Sequence, residues 1–120
     1  MRVVGTVVLA ATLRSVHSGS DGYVAGGDGN VASFYGFVGG GLYNSATGSW
    51  SNIVGGYGGR SSGIFSSIAG GLLNTATGAW SLVGGGYANL ASGFASAIHG
   101  GFQNTVGDEY VASFAALTTR

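Results

Sequence analysis

Residues 66–80 read Ser-Ser-Ile-Ala-Gly-Gly-Leu-Leu-Asn-Thr-Ala-Thr-Gly-Ala-Trp, and variants of this fifteen-residue unit fill most of the chain. Four further segments align with it without a gap: 36–50, 51–65, 81–95 and 96–110. Position 3 of the unit is always aliphatic, and positions 5 and 6 are always Gly-Gly. A repeat this regular indicates one small structural unit stacked on copies of itself.

Positions 9, 13 and 15 complete the pattern. Position 9 is Asn44, Asn74, Asn89 or Asn104, with Gly59 as the exception, and position 13 is mostly glycine. Position 15 is mostly aromatic. Because asparagine tolerates left-handed backbone geometry and bonds its own backbone, position 9 is predicted to lie in a turn.

The repeat predicts an all-β chain. No window shows sustained helical periodicity, and glycine at this frequency suits tight turns rather than helix interiors. Each unit is predicted to hold two short strands, one running from position 15 through positions 1 to 4 and one centred on position 11. The predicted fold is therefore a parallel β-solenoid of about seven fifteen-residue coils.

The repeat also sets the predicted boundaries. Segment 22–35 fits the register with one residue deleted, so the solenoid repeats are predicted to span 22–110. Residues 1–21 are predicted to form a degenerate first coil or N-terminal cap, with a signal-like segment as the alternative. Residues 111–120 are predicted to form a C-terminal tail or cap.

Strand alternation separates the apolar columns of the repeat. Position 3 and the aromatic position 15 should point to opposite faces of the first strand, so we place the aliphatic residues inside and the aromatic residues outside. A second outer column follows the Gly-Gly pair at position 7. Contiguous exposed apolar surface usually marks an interface. The predicted oligomer-interface residues are Trp50, Phe65, Trp80 and Tyr110 at position 15, and Leu42, Tyr57, Leu72, Tyr87 and Phe102 at position 7.

Composition narrows the classes of function. The net charge is zero and only 7% of residues are charged, so the basic stripe of a nucleic-acid-binding protein is missing. An apolar fraction of 45% opposes disorder. Large aliphatic residues are sparse, which indicates a thin solenoid, an oligomer that shares its core, or both. The apolar run Val3 to Leu13 is too short and too broken to span a membrane.

Residues suited to catalysis or metal binding are few. The only histidines are His17 and His99, and His99 at position 4 is predicted to be a neutral or interface residue rather than a general base. The stretch Gly26-Gly27-Asp28-Gly29-Asn30 is similar to calcium-binding repeats, but those need an aspartate in every unit. We therefore predict no catalytic residue, no metal site and no cofactor.

Two units carry a resemblance to a known family. Residues 66–78 and 81–93 resemble the head repeats of trimeric autotransporter adhesins of the YadA type, and similar repeats occur in phage tail fibres. The resemblance covers about residues 22–110. It implies a left-handed parallel β-roll, three chains packed side by side around an axis, and binding to host matrix or surfaces. The period of fifteen departs from the family's usual fourteen, and no heptad run typical of the family's stalk is found.

Together these features predict a non-enzymatic adhesive or structural module of an extracellular or cell-surface fibre. The predicted partners are copies of the same chain, with a trimer favoured, and a host or matrix surface; neither nucleic acid nor a membrane span is expected. The alternatives are a self-assembling extracellular filament, in which rods stack end to end, and a phage tail fibre on a virion. Ice binding is disfavoured because position 10 lacks a regular threonine ladder.

Overall fold

The computed structural model describes residues 16–17 and 21–113, and this part of the chain is all-β. Every strand is two residues long, because a turn follows almost at once. The strands are β1 (Val16–His17), β2 (Tyr23–Val24), β3 (Val31–Ala32), β4 (Phe37–Val38), β5 (Ser45–Ala46), β6 (Asn52–Ile53), β7 (Arg60–Ser61), β8 (Ser67–Ile68), β9 (Thr75–Ala76), β10 (Leu82–Val83), β11 (Leu90–Ala91), β12 (Ala97–Ile98), β13 (Thr105–Val106) and β14 (Ala112–Ser113).

The strands form two parallel sheets. The odd-numbered strands β1 to β13 make one sheet and the even-numbered strands β2 to β14 make the other, each in chain order. Asn52 pairs with Ser67, fifteen residues further on, and most other pairs keep this spacing. The chain is therefore a β-solenoid of about six turns, and the predicted fold class is confirmed. The degenerate first coil or cap predicted for residues 1–21 lies outside the described residues apart from β1 and Asp21.

The one-residue deletion predicted in segment 22–35 is also present. Val24 pairs with Val38 and Val31 with Ser45, fourteen residues apart in each case. The shortening falls between β3 and β4, where the backbone N–H of Gly36 donates to the carbonyl of Ser33 at 2.9 Å. Because the missing residue is absorbed at this corner, both sheets continue in register across it. At the other end, β14 extends its sheet into the predicted tail, of which 114–120 lie outside the described residues.

The interior holds the aliphatic column, as predicted. Position 3 of each coil faces a small residue at position 11, since the coil is too narrow for two large side chains. The buried apolar residues are Val24, Val38, Ile53, Ile68, Val83 and Ile98 on one side, and Ala32, Ala46, Ala76, Ala91 and Val106 on the other.

The asparagines at position 9 lie inside the coil. Asn74 Nδ2 donates to the carbonyl of Gly70 in its own coil at 2.9 Å and to that of Gly86 in the next coil at 3.0 Å. Its Oδ1 accepts from the backbone N–H of Asn89 at 2.9 Å. Each such hydrogen bond contributes about 1 kcal/mol net, and a buried polar group left without one is costly. The asparagine therefore closes its own turn and also ties it to the next coil, a role that the sequence did not predict.

Gly59 interrupts this asparagine ladder. Its backbone N–H still donates to Asn44 Oδ1 at 2.8 Å, but glycine has no side-chain amide to offer the carbonyls of Gly55 and Gly71. A Cβ at Gly59 would lie 3.1 Å from Asn44 Oδ1 and 3.6 Å from Ile68 Cδ1, and no left-handed backbone forbids a side chain there. The site has the backbone of the other coils but lacks their side chain.

Gly59→Asn should stabilise the protein. The new amide would complete the ladder and add roughly 1–2 kcal/mol to the free energy of unfolding measured by chemical denaturation. Gly59→Ala is the matched control, because it removes glycine flexibility without adding an amide and should add only about 0.4–1 kcal/mol. Equal stabilisation by the two variants would show that the amide is not what the coil lacks.

Only the second glycine of each Gly-Gly pair is constrained by its surroundings. Gly71 has a φ of +93°, and a Cβ there would overlap the carbonyl oxygen of Gly86 in the next coil. Gly70 has no such φ, and a Cβ added there would meet no atom within 4 Å. Adjacent glycines therefore differ: one permits the turn and the close stacking of coils, and the other has room for a side chain.

Gly71→Ala should destabilise the solenoid by more than about 2 kcal/mol, because left-handed strain adds to a backbone clash. Gly70→Ala should change the free energy of unfolding by less than about 0.5 kcal/mol. Thermal unfolding of the two variants beside the parent protein makes the comparison. Similar losses for both would contradict the assigned geometry.

Candidate functional site

Position 15 lies in a turn. The backbone N–H of Ser66 donates to the carbonyl of Gly63 at 3.1 Å, which encloses Ile64 and Phe65 in a four-residue turn. Phe65 has a φ of +59° and its backbone N–H donates back to Ser49 of the preceding coil. The prediction that the first strand begins at position 15 is therefore wrong, because a left-handed residue cannot continue a β-strand.

The aromatic residues at this position adopt a backbone conformation that usually belongs to glycine. Trp50, Phe65, Trp80 and Tyr110 have φ values of +62°, +59°, +63° and +60°. For a residue with a Cβ the left-handed region costs roughly 1–2 kcal/mol. Glycine would avoid that strain, so its absence from position 15 suggests that the aromatic side chains serve a purpose of their own.

The aromatic rings at position 15 form a column along the rod, and Tyr35, the last residue of the shortened segment 22–35, belongs to the same column. We name Tyr35, Trp50, Phe65, Trp80 and Tyr110 the turn ladder. Ring centroids lie 4.6 Å apart from Tyr35 to Trp50, 6.3 Å from Trp50 to Phe65 and 4.5 Å from Phe65 to Trp80, with interplanar angles of 10°, 9° and 18°. These spacings are typical of stacked aromatic pairs. Phe65 is 42% exposed and Trp80 58% exposed, so the ladder presents the ring edges to solvent.

Ala95 interrupts the turn ladder between Trp80 and Tyr110. Its φ of +56° keeps the same turn, so only the ring is missing. Tyr110 packs edge-on against Phe94, with centroids 5.6 Å apart and an interplanar angle of 88°. The column therefore contains a gap one coil high.

The residues at position 7 form a second exposed column, which we name the bridge ladder. Each is joined to the next by a single parallel β-bridge, and the row ends where Leu42 pairs with Asp28. The rings of Tyr87 and Phe102 stack at 5.1 Å and 17°. The members are Leu42, Tyr57, Leu72, Tyr87 and Phe102, and all are exposed.

The two ladders lie at opposite edges of the coil. The bridge ladder follows the Gly-Gly pair, where the chain passes from β4 to β5 or their equivalents. The turn ladder lies where the chain passes from β5 to β6, on the return to the first sheet. Both predicted columns are therefore on the outer surface, and their role as interfaces stays a prediction.

The first ring of the turn ladder, Tyr35, has a charged partner. The Tyr35 hydroxyl donates a hydrogen bond to Asp21, and this bond together with the negative charge of Asp21 raises the pKa of Tyr35 above its usual value. The neutral form of Tyr35 is thereby favoured.

Although no catalytic residue is predicted, the sequence contains one match to the Gly-x-Ser-x-Gly pattern of a nucleophile elbow, at Gly59-Arg60-Ser61-Ser62-Gly63. Such an elbow exposes its serine at a sharp turn between a strand and a helix. Here Ser61 is buried on β7, where it replaces the usual alanine, and its Oγ lies 2.6 Å from Ser66 Oγ. Ser66 in turn donates to the carbonyl of Gly63 at 2.8 Å. The local geometry is that of a core hydroxyl pair.

The other candidate residues are spread over the surface and the core. His99 is exposed at position 4, Asp28 is half-buried on the bridge row, and Asn30 is buried in the asparagine ladder. The side chain of His17 lies outside the described part. Within residues 21–113, no group of three or more His, Asp or Glu side chains is placed to hold a metal ion. That same part of the chain contains no helix that is long and apolar enough to cross a membrane.

Comparison with models of known protein families gives no match for this chain, and no curated protein matches it in sequence. The proposal for function therefore rests on the exposed turn and bridge ladders.

Replacing a ring of the turn ladder should hardly affect folding. In Trp80→Gly, the relief of about 1–2 kcal/mol of left-handed strain offsets the loss of about 0.5–1.5 kcal/mol of stacking. We expect the free energy of unfolding to change by less than about 1 kcal/mol. Ile68→Ala, which empties part of the core, should lose roughly 2–5 kcal/mol. Both variants are compared by chemical denaturation at the lowest workable protein concentration, where the chains do not self-associate. A loss of stability in Trp80→Gly as large as that in Ile68→Ala would show that the turn ladder is required for folding.

Proposed function

We propose that the protein is a non-enzymatic module of an extracellular or cell-surface fibre, in which three copies pack side by side and the rod adheres to host or matrix surfaces. The observation that carries this proposal is the turn ladder, an exposed aromatic column held at strained backbone positions. The resemblance of the repeats to the heads of trimeric adhesins supports the same assignment.

Exposed apolar surface supports the side-by-side assembly. Monomeric soluble proteins seldom expose large contiguous apolar patches, and this chain has two that run along the rod. The interior offers one row of Val or Ile facing alanine, which is little apolar surface for a chain of this length. Burial of the ladders between copies would add about 25 cal/mol for each Å² removed from water. Assembly would thus supply the hydrophobic stabilisation that a single coil lacks.

The shape and charge of the rod support an adhesive role. Its principal extents are 45 × 21 × 13 Å, and an apolar or aromatic residue returns at position 7 of five successive coils. Repeated weak contacts on one rigid body give avidity without any single strong site. Because few charged groups are present, such adhesion would rest on apolar and hydrogen-bonding contacts, which salt screens little.

Sedimentation analysis across a concentration series tests the assembly. We expect single chains of 11.8 kDa at the lowest concentrations and one larger species, with three times that mass, as the concentration rises. A single copy throughout would contradict the trimer, and species that continue to grow beyond three chains would favour the alternative of a self-assembling filament.

Retention of the protein on immobilised extracellular-matrix protein tests the adhesive role. We expect retention to be nearly unchanged between about 0.1 M and 1 M salt, because charge contributes little. Bovine serum albumin on the same support is the control surface. Equal retention on both surfaces, or loss of retention at high salt, would contradict specific adhesion through uncharged contacts.

A further inference from the structure

We propose that the turn ladder of one copy packs against the bridge ladder of the next copy, with coils of equal number facing each other. This inference rests on the side-by-side assembly proposed above and names the surfaces that make it. It follows from the sizes of the side chains in the two ladders.

In four of the five coils between residues 36 and 110, a larger residue in one ladder coincides with a smaller residue in the other; the last coil, with Phe102 and Tyr110, is the exception. The coils that carry Trp50 and Trp80 at position 15 carry Leu42 and Leu72 at position 7. The intervening coil carries the smaller Phe65 together with the larger Tyr57. Within one chain the two ladders lie at opposite edges of the coil, so intramolecular packing gives no reason for this alternation. Contact between copies gives one, because close packing requires facing volumes to compensate.

The gap at Ala95 fits the same arrangement. Trp80 and Tyr110 border it at two coil spacings, about 9.5 Å, which leaves about 4.7 Å on either side of one inserted ring. The rings within the turn ladder are themselves 4.5–6.3 Å apart. In the coil that carries Ala95, position 7 is Tyr87, whose ring is exposed. Tyr87 of the neighbouring copy therefore supplies a ring at the height where the turn ladder lacks one.

A shift of one coil would destroy this match. It would place Trp80 against Tyr87, two large rings, and Phe65 against Leu72, two smaller side chains. Pairing of equal-numbered coils keeps all copies parallel and at the same height. Each copy then contributes both ladders, which is the heterologous contact from which rings of identical subunits are built. A two-fold contact could pair the two ladders only reciprocally within a dimer, and crosslinking would then stop at two chains.

Engineered cysteines test the pairing directly, because the native chain contains none. The variant Leu72→Cys/Trp80→Cys has one thiol in each ladder of the same coil. Under mild oxidation each copy should become linked to two neighbours, and non-reducing electrophoresis should show covalent oligomers. The single variants should stay uncrosslinked, since each has a thiol in only one ladder. Phe65→Cys/Leu72→Cys, offset by one coil, should crosslink roughly tenfold more slowly, because disulfides require Cα atoms within about 7 Å.

Volume exchange at the gap gives a second, non-covalent test. Ala95→Trp should fill the space meant for the neighbour's Tyr87 and raise the dissociation constant of the assembly about tenfold. Adding Tyr87→Leu recreates the tryptophan–leucine combination found in two native coils and should restore the parent affinity. Both positions are on the surface, so circular dichroism should show the parent fold in each variant.

The outcomes separate this inference from the proposed function. Covalent dimers from either single cysteine variant, or faster crosslinking of the offset variant, would overturn the pairing. A sedimenting trimer without crosslinks in Leu72→Cys/Trp80→Cys would overturn the pairing and leave the trimeric module intact. Efficient crosslinks in an open series of larger species would confirm the pairing and contradict the trimer.

Discussion

Hydrogen bonds between successive coils are the interaction on which the rest of the structure depends, and the buried amide of asparagine at position 9 supplies the side-chain part of them. The amide of Asn74 donates hydrogen bonds to the carbonyl of Gly70 in its own coil and to the carbonyl of Gly86 in the next coil. One side chain therefore closes a turn and sets the distance to the neighbouring coil. Backbone hydrogen bonds join the same coils at the turns as well as in the strands, for example from the N–H of Tyr57 to the carbonyl of Gly71. The amide adds side-chain hydrogen bonds in the same register, so that each coil is aligned on the previous one.

Fixed register gives the surface its order. Because each coil lies directly above the last, position 15 and position 7 become straight columns, and a choice of residue made once is repeated along the rod. The turn ladder shows this repetition: aromatic residues occupy left-handed backbone positions although glycine would be less strained there. Neighbouring rings cover one another's faces and leave their edges outward. The outer surface is thus apolar but rigid, which suits contact with another rigid rod.

The period of the sequence predicted the architecture because a repeat leaves few alternatives. Position 3 was placed inside and positions 7 and 15 outside from strand alternation and the narrowness of the coil, and the shortened unit at 22–35 followed from alignment alone. The turn at position 15 was missed because alternation carries no information on the sign of φ, and aromatic residues are typical of strands. The burial of Asn74 and its equivalents was missed for a different reason. The carbonyl of Gly86 that satisfies the amide belongs to another coil, and composition treats asparagine as a surface residue. Ser61 is a similar case, because its hydrogen-bonding partner Ser66 lies beside it only in the folded coil.

The shortened corner between β3 and β4 has a consequence for how such a chain can change over generations. A unit of fourteen residues stacks on units of fifteen without disturbing either sheet, because Ser33 and Gly36 close the corner in the same way as in the longer coils. Loss of one codon at that corner is thereby tolerated, whereas the same loss inside a strand would turn every later side chain to the wrong face. Duplication of a whole unit is tolerated as well, and each copy would lengthen the rod by about 4.8 Å. The length of the rod can therefore change in small steps through replication slippage, with the fold unchanged.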